Sequence, residues 1–263
     1  MKYNGENLFP GDTYDTPADN RADWGAKVFG RWYFYWHNFN VFSRTGRCGQ
    51  RGELDGDAQI FYSNQNFKLI ERCGGKAHLR GLEILRNQKE PVVLLGNHMS
   101  LLETAVFHAI LRPHMDFTFV IKESLMKIPH FRDIMTATRA ITIGRSNPKE
   151  DLKIVLGEGK ERLQSGQSVI IFPQGTRSVE FNPEHFSSIG VKLAKTAGVK
   201  VLPFALKTDF LGNGKIIREL GPMHPEKDVW FSFAPPLEIT GNGKEQHQQI
   251  IEFIQKSLEN WNK

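Results

Sequence analysis

A histidine and a glutamate five residues apart form the first pair in this sequence that could perform acid–base chemistry. His98 follows the apolar run of residues 92–95, and Glu103 lies in the first turn of a helix that we predict from Leu101. On a continuous α-helix, five residues would turn the two side chains about 140° apart, so His98 must precede the helix if they are to meet. The carboxylate would then fix the imidazole tautomer and stabilise the imidazolium that forms when His98 acts as a general base.

The same glutamate also has a purely structural interpretation. Ser100 and Glu103 fit a capping box, in which the carboxylate accepts the backbone N–H three residues before it. Such boxes are common where helices begin. The residues by themselves therefore leave both roles of Glu103 open.

A second polar turn, Phe-Pro-Gln-Gly-Thr-Arg at residues 172–177, follows the apolar residues 169–171. Its proline and glycine end a strand and let backbone amides approach a ligand, while Arg177 offers a planar fork that suits phosphate. Arg145 and Lys122 follow two further predicted strands. Taken singly, each of these features also fits an ordinary turn or a solvated surface charge.

The order of these motifs resembles the glycerolipid acyltransferase family, which includes 1-acyl-glycerol-3-phosphate acyltransferases. The resemblance covers about residues 76–236. Asn97-His98 followed by Glu103 is similar to the first family motif, although Asp is usual at the acidic position. Residues 172–177 resemble the third motif, usually Phe-Pro-Glu-Gly-Thr-Arg, with Gln174 in place of Glu.

Three further segments carry the resemblance. Arg145 ends a match to the second motif, but Arg139 and Thr142 stand where Gly and Phe are typical. Residues 201–205 match the fourth motif, an apolar strand around a proline, and residues 122–129 fit the segment between the first two motifs. Glu103 preserves the charge of the first motif, whereas Gln174 removes one carboxylate and with it a guide to the acceptor.

The resemblance implies an acyl transfer without an acyl-enzyme. His98 would remove the proton from an acceptor hydroxyl, which attacks the thioester of acyl-CoA or acyl carrier protein; backbone amides near Gly175 are candidate oxyanion donors. No metal and no cofactor beyond this co-substrate are expected. Arginines and a lysine would hold the acceptor phosphate. The expected substrate-binding residues are Lys122, Arg145, Gln174, Gly175, Thr176 and Arg177.

The acceptor implied by the resemblance is 1-acyl-glycerol-3-phosphate, in phospholipid biosynthesis. Another lysophospholipid, an ornithine-type lipid or a lipid A precursor remains an alternative, as does a non-catalytic lipid-binding module. A hydrolase with Ser100 or Ser178 as nucleophile has less support, because neither serine lies in a Gly-x-Ser-x-Gly elbow.

Elements that alternate along the chain must position these residues. Apolar strands separated by helical periodicity predict an α/β domain over residues 74–263, in which a mixed central sheet is flanked by helices. The predicted strands are residues 76–80, 91–96, 116–121, 140–143, 168–172, 200–206 and 229–233. The predicted helices begin at residues 101 and 129 or span residues 148–164, 187–196 and 244–261.

Residues 21–73 are predicted to be helical and to bind a membrane surface. Within residues 24–42, aromatic side chains recur at helical spacing beside cations such as Lys27 and Arg31, and these charges break the long apolar run that a membrane-spanning helix needs. This pattern favours a helix lying in the plane of the interface, with a core helix as the alternative. Residues 1–20, acidic and proline-bearing, are expected to be a loose arm.

Composition bounds the remaining possibilities. A net charge of +5 favours an anionic partner without distinguishing lipid from nucleic acid, and the site residues lead us to expect lipid and no nucleic acid. Two cysteines without metal-ligand spacing fit a reducing compartment. The first twenty residues lack the pattern of a secretory signal. We therefore expect a peripheral or monotopic protein on the cytoplasmic face of a membrane.

Overall fold

A mixed sheet of eight strands forms the centre of the computed structural model, which describes residues 8–214 and 217–263. The strands are β1 (Thr13–Asp15), β2 (Ala77–Arg80), β3 (Val93–Gly96), β4 (Phe117–Lys122), β5 (Ile141–Ile143), β6 (Ser168–Ile171), β7 (Val201–Lys207) and β8 (Val229–Phe233). Their order across the sheet is β1-β2-β8-β7-β3-β6-β4-β5. The predicted α/β class with a mixed central sheet is confirmed.

Helices cover both faces of this sheet. In chain order they are α1 (Trp24–Phe29), α2 (Arg31–Gln50), α3 (Gly56–Arg72), α4 (Leu82–Asn87), α5 (Leu102–Leu111), α6 (Pro129–Ala137), α7 (Pro148–Gln164), α8 (Ile189–Ala197) and α9 (Lys244–Trp261). Alternate residues of β3 enter two different apolar cores, because successive side chains of a strand point to opposite faces. Leu94 packs in the core that includes α3 and α5 residues, and Leu95 packs in the core that includes α7, α8 and α9 residues.

The middle of the sheet determines where chemistry can occur. β3 lies between β6 and β7 and runs parallel to both. Because the carboxyl ends of parallel strands share one edge, the turns after β3, β6 and β7 meet there. Gly96 ends β3 at a close approach: a Cβ atom there would lie 2.2 Å from the Phe204 ring and 2.4 Å from its carbonyl oxygen.

The expected loose arm is wrong for the part of it that the structure describes. Residues 1–7 lie outside the described range, but β1 pairs antiparallel with β2 at the edge of the sheet. Phe9 is buried and contacts the Phe67 ring, and the Tyr14 hydroxyl donates to Glu71 Oε1 at 2.6 Å. An edge strand presents unpaired backbone groups, so even a short acidic segment with two aromatic anchors can pair with it.

The aromatic segment is two helices that meet at Gly30, whose φ is 52°, a conformation that glycine adopts readily. Phe34 and Tyr35 are buried, whereas Trp32 and Trp36 are 59% and 69% exposed. One face of α2 is therefore packed in the core, and the opposite face is exposed; the membrane contact of that exposed face stays a prediction. Phe34 also belongs to the same apolar core as Leu94 of β3, so the segment before residue 74 and the domain after it share one core. Within residues 8–214 and 217–263, no helix has the length and apolarity to cross a membrane.

Candidate active site

His98 and Glu103 meet in the turn between β3 and α5. The Nδ1 atom of His98 lies 2.8 Å from Glu103 Oε1. The Glu103 side chain is fully buried, whereas 18% of the His98 side chain is exposed. The structure thus brings the two residues together in the arrangement that the sequence analysis requires, with the histidine before the helix and the acid in its first turn.

Glu103 is at once the partner of His98 and a cap of α5. Its Oε1 atom also accepts the backbone N–H groups of Met99 at 2.6 Å and Ser100 at 2.9 Å. Its Oε2 atom accepts the hydroxyls of Ser100 at 3.0 Å and Thr208 at 2.7 Å. The two roles that the sequence left as alternatives are therefore both present. One rigid carboxylate holds the turn, the helix start and the imidazole.

The surroundings of Glu103 keep it ionised. Burial acts to raise its pKa, but the hydrogen bond and charge of His98, with hydrogen bonds from Thr208 and Ser100, hold the pKa below its ordinary value. A buried carboxylate with several donors is a strong and well-oriented acceptor. It can therefore keep a proton on Nδ1 and stabilise a positive charge on the ring.

The imidazole is fixed on its other sides as well. Its ring stacks on Phe172 with centroids 4.1 Å apart. The backbone N–H of His98 donates to Gln174 Oε1 at 2.8 Å, and its carbonyl accepts the N–H of Ser178 at 2.9 Å. In the part of the chain that the structure describes, Nε2 has no hydrogen-bond partner. With Nδ1 engaged, Nε2 is the atom that can accept a proton.

Asn97 and Thr208 support the site, and the sequence analysis assigned a role to neither. The Asn97 amide pairs with the backbone of Leu206, donating to its carbonyl at 2.7 Å and accepting its N–H at 2.9 Å. Thr208 is the residue just after β7, and its hydroxyl donates to the Glu103 carboxylate. A polar residue directly after a buried strand at this edge of the sheet is the signal that could have identified Thr208.

The predicted substrate loop lies next to His98. Gly175, with φ of 70°, closes a turn by donating its N–H to the Phe172 carbonyl at 3.1 Å. This amide is therefore engaged in the turn and is not free as an oxyanion donor. Arg145 donates to the carbonyl of Gly175, Thr176 is exposed, and Nη2 of Arg177 donates to Glu219 Oε1 at 2.6 Å.

The predicted cations are thus placed differently. Arg145 and Arg177 both contact this loop or belong to it. Lys122 ends β4 opposite Ile143 and is exposed; its side chain makes no ion pair or hydrogen bond with the described residues. The structure brings both arginines to the loop beside His98, whereas no contact among the described residues joins the Lys122 side chain to that loop.

Residues 211–214 and 217–223 of the connection between β7 and β8, which we call the hairpin, also reach the site, and the sequence analysis missed them. A bridge between Leu211 and Met223 and the bond from Gly212 N–H to the Pro222 carbonyl close the base of the hairpin. Asn213 donates to the Met99 carbonyl at 3.3 Å. The long, glycine-bearing connection between the two strands was the available signal, because connections of this length are uncommon unless they serve a function.

Replacing the Gln174 amide group by an apolar side chain tests whether this group positions His98. Gln174→Leu leaves the His98 N–H without its acceptor, and a lost hydrogen bond of about 1 kcal/mol corresponds to a drop in kcat of about fivefold. Gln174→Glu retains an acceptor oxygen and is expected to keep kcat within about twofold of wild type. Steady-state kinetics of both variants provide the measurement. Equal activity of Gln174→Leu and wild type would contradict the positioning role.

Comparison with known proteins gives related results at three levels. The model of the acyltransferase family matches residues 76–207. A 1-acyl-sn-glycerol-3-phosphate acyltransferase of Pseudomonas aeruginosa is 36% identical over 133 residues, which are 51% of this chain and 50% of that protein. One from Chlamydomonas reinhardtii is 32% identical over 142 residues, 54% of this chain and 40% of that protein. The chain thus spans half or less of the length of these curated relatives.

A solved structure shares the fold. The crystal structure of the 1-acyl-sn-glycerophosphate acyltransferase from Thermotoga maritima superposes with a TM-score of 0.67. The match covers 89% of this chain and 95% of that one, at 20% sequence identity. At that identity the likeness establishes the architecture alone.

Proposed function

Because this chain belongs to the acyltransferase family, we propose that it moves a fatty acyl group from acyl-CoA or acyl carrier protein to the free hydroxyl of 1-acyl-glycerol-3-phosphate. One observation carries the proposal. The Nδ1 atom of His98 is held by the buried Glu103 carboxylate, and Nε2 is free of hydrogen-bond partners among the described residues. This is the geometry of a general base.

The chemistry follows from this geometry. Nε2 of His98 takes the proton of the acceptor hydroxyl as its oxygen attacks the thioester carbonyl. The tetrahedral intermediate collapses, the carbon–sulfur bond breaks, and the departing sulfur takes the proton back from the imidazolium as a free thiol. Glu103 stabilises the imidazolium between these steps. The thioester is already activated, so positioning and one base supply most of what the reaction needs.

The acceptor is proposed from chemistry and from the relatives. The relatives from P. aeruginosa and C. reinhardtii are named for 1-acyl-sn-glycerol-3-phosphate. In this chain, Arg145 and Arg177 lie at the loop beside His98, where their guanidinium groups suit a phosphate. Other lysophospholipids, ornithine-type lipids and lipid A precursors remain as alternative acceptors, and a single assay distinguishes them.

That assay measures the release of free thiol. The purified protein is incubated with acyl-CoA or acyl carrier protein and with each acceptor in turn. Thiol release that requires 1-acyl-glycerol-3-phosphate would support the proposal, and release with a different acceptor would reassign the substrate. Liposome binding by a protein that consumes no thioester with any pair of donor and acceptor would support the non-catalytic lipid-binding module.

The serine-hydrolase alternative conflicts with the surroundings of Ser100. Ser100 is 1% exposed, and its hydroxyl donates to Glu103 Oε2. The oxygen of this hydroxyl also accepts the backbone N–H of Leu102. A nucleophile needs access to its substrate, and this hydroxyl is committed to the helix start. Mass spectrometry of the protein after incubation with donor should accordingly detect no acyl adduct at Ser100.

Arg177→Ala is expected to raise the acceptor KM by about tenfold or more, because a charge-assisted pair to phosphate contributes about 1.5–3 kcal/mol. The donor KM should stay near the wild-type value. A matched control is Arg86→Ala. Arg86 is also ion-paired, with Asp12, and it lies on α4. This helix follows β2, which runs antiparallel to β7, so it begins at the ends of the strands opposite to the site. Equal changes in both KM values for Arg177→Ala would contradict a role in phosphate binding.

We further propose that α1 and α2 lie on a membrane surface, on the cytoplasmic face. Six exposed apolar side chains of these helices, between 54% and 76% exposed, form what we call the aromatic face: Trp24, Val28, Phe29, Trp32, Trp36 and Phe39. Exposed apolar side chains grouped on one element are typical of interaction sites. The cations Lys27 and Arg31 suit anionic head groups, and the Arg31 guanidinium lies 4.9 Å from the Trp32 ring centre.

Replacing Trp32 and Trp36 together by Ser is expected to weaken binding to anionic liposomes by at least tenfold. Each ring would lose about 1.5 kcal/mol or more of apolar burial in the interface. Co-sedimentation with vesicles measures the effect, and Trp261→Ser, a change in α9 outside the aromatic face, is the control. Unchanged binding of the double variant would exclude the aromatic face as the contact.

A further inference from the structure

The guanidinium group of Arg177 forms an ion pair with a carboxylate of the same chain, that of Glu219. Nη2 of Arg177 lies 2.6 Å from Glu219 Oε1, with 16% of the arginine side chain and 52% of the glutamate side chain exposed. The proposed function assigns this same guanidinium to the phosphate of the acceptor. A carboxylate and a phosphate present the same kind of oxygen acceptor to an arginine fork. Both cannot use the same donor at once.

The hairpin between β7 and β8 delivers Glu219 to this position. Its inner rung is the bond from Gly214 N–H to the Arg218 carbonyl. Arg218 in turn donates from Nη2 to the Arg177 carbonyl at 2.8 Å. The base of the hairpin rests on α2, where the Tyr35 hydroxyl donates to the Gly221 carbonyl at 3.0 Å. Glu219 is therefore held beside Arg177 by the fold around it.

We infer that Glu219 is a stand-in for the acceptor phosphate, which displaces it from Arg177 on binding. The inference rests on the proposed function. Exposed ion pairs contribute little stability, so a phosphate can displace this one. The carboxylate is half exposed and can return to water. Once Glu219 has left, the positive charge of Arg177 is free to pair with the phosphate. Arg145 and Arg218 lie against the same loop.

This arrangement has a defined kinetic consequence. Every phosphate-bearing acceptor has to break the same ion pair, so the pair raises the acceptor KM by one common factor. It leaves kcat unchanged, because Glu219 touches neither His98 nor Glu103 among the described contacts. It leaves the donor KM unchanged, because the proposed function assigns Arg177 to the acceptor. A glutamate that instead held Arg177 in a productive position would have the opposite effect on the acceptor KM.

Glu219→Gln is the direct test, with Glu226→Gln as the matched control. Glu226 is another exposed carboxylate of the same connection, paired with His224 at 3.2 Å. Glu219→Gln should lower the acceptor KM by about threefold, the range of an exposed ion pair, with kcat unchanged. Glu226→Gln should leave both constants unchanged. An unchanged or raised acceptor KM in Glu219→Gln overturns the inference.

Inorganic phosphate gives a second readout that does not depend on turnover. A ligand that binds the folded state raises Tm according to its concentration relative to Kd. Glu219→Gln should reach a given rise in Tm at about threefold less phosphate than wild type, and Arg177→Ala should show no such rise. Equal phosphate dependence in wild type and Glu219→Gln overturns the inference. Failure of wild type to consume thioester would instead count against the proposed function alone.

Discussion

Replacing His98 by Ala is expected to lower kcat by about 10²–10⁴-fold, the usual contribution of a general base. The fold should survive, because the contacts that anchor the turn through residue 98 come from its backbone: its N–H to Gln174 and its carbonyl to Ser178. The ring itself is partly exposed and stacks on a single phenylalanine. Single-turnover thiol release, with circular dichroism as the fold control, measures the effect.

The outcome of that experiment bears on the whole mechanism. Acceptor and donor KM values should change little in His98→Ala, because the base acts in the transition state and not in substrate binding. Activity within a few-fold of wild type would exclude His98 as the base. A variant that loses activity together with its fold would be replaced by His98→Gln, which keeps a polar group of similar reach beside Glu103.

Glu103→Gln is expected to cost both activity and stability. An amide of the same shape cannot stabilise an imidazolium as a carboxylate does, so kcat should fall by about 10²-fold or more. The amide nitrogen must also replace one oxygen that now accepts from His98, Met99, Ser100 or Thr208. Hydrogen bonds to a charged group contribute about 1.5–3 kcal/mol, and we expect a loss in unfolding free energy of that order.

The pH dependence of this stability loss has a definite sign. The pKa of Glu103 is lowered in the folded protein: burial acts to raise it, and the His98 interaction with the Thr208 and Ser100 hydrogen bonds overcomes that effect. A lowered folded-state pKa contributes stability above the ordinary value of 4.5, and this contribution is lost as the pH falls through the folded-state pKa. The stability advantage of wild type over Glu103→Gln should therefore be complete at pH 7 and shrink below about pH 4.5.

Urea unfolding of both proteins between pH 3 and pH 8 measures this difference. Glu252→Gln, which changes an exposed carboxylate of α9, controls for the effect of charge alone. A wild-type advantage that grew as the pH fell below about 4.5 would contradict the ionised state of Glu103. An unchanged kcat in Glu103→Gln would reduce this residue to its role as a helix cap.

Local sequence patterns determined the α/β class and the contact between His98 and Glu103. Each predicted strand has an observed counterpart, because apolar runs bounded by turns report strands from their own residues. α7 and α9 have the predicted bounds for the same reason. His98 and Glu103 are five positions apart, and one turn followed by one helix start is enough to bring them together.

Tertiary structure alone decided which other groups complete the site. Thr208 reaches Glu103 across 105 residues of sequence, and Glu219 reaches Arg177 across 42. These contacts exist because β3, β6 and β7 run parallel, so that their carboxyl ends share one edge. Periodicity along the chain carries no information on that pairing. In the same way, β1 forms because β2 offers it an open edge, a property of the sheet and not of residues 13–15.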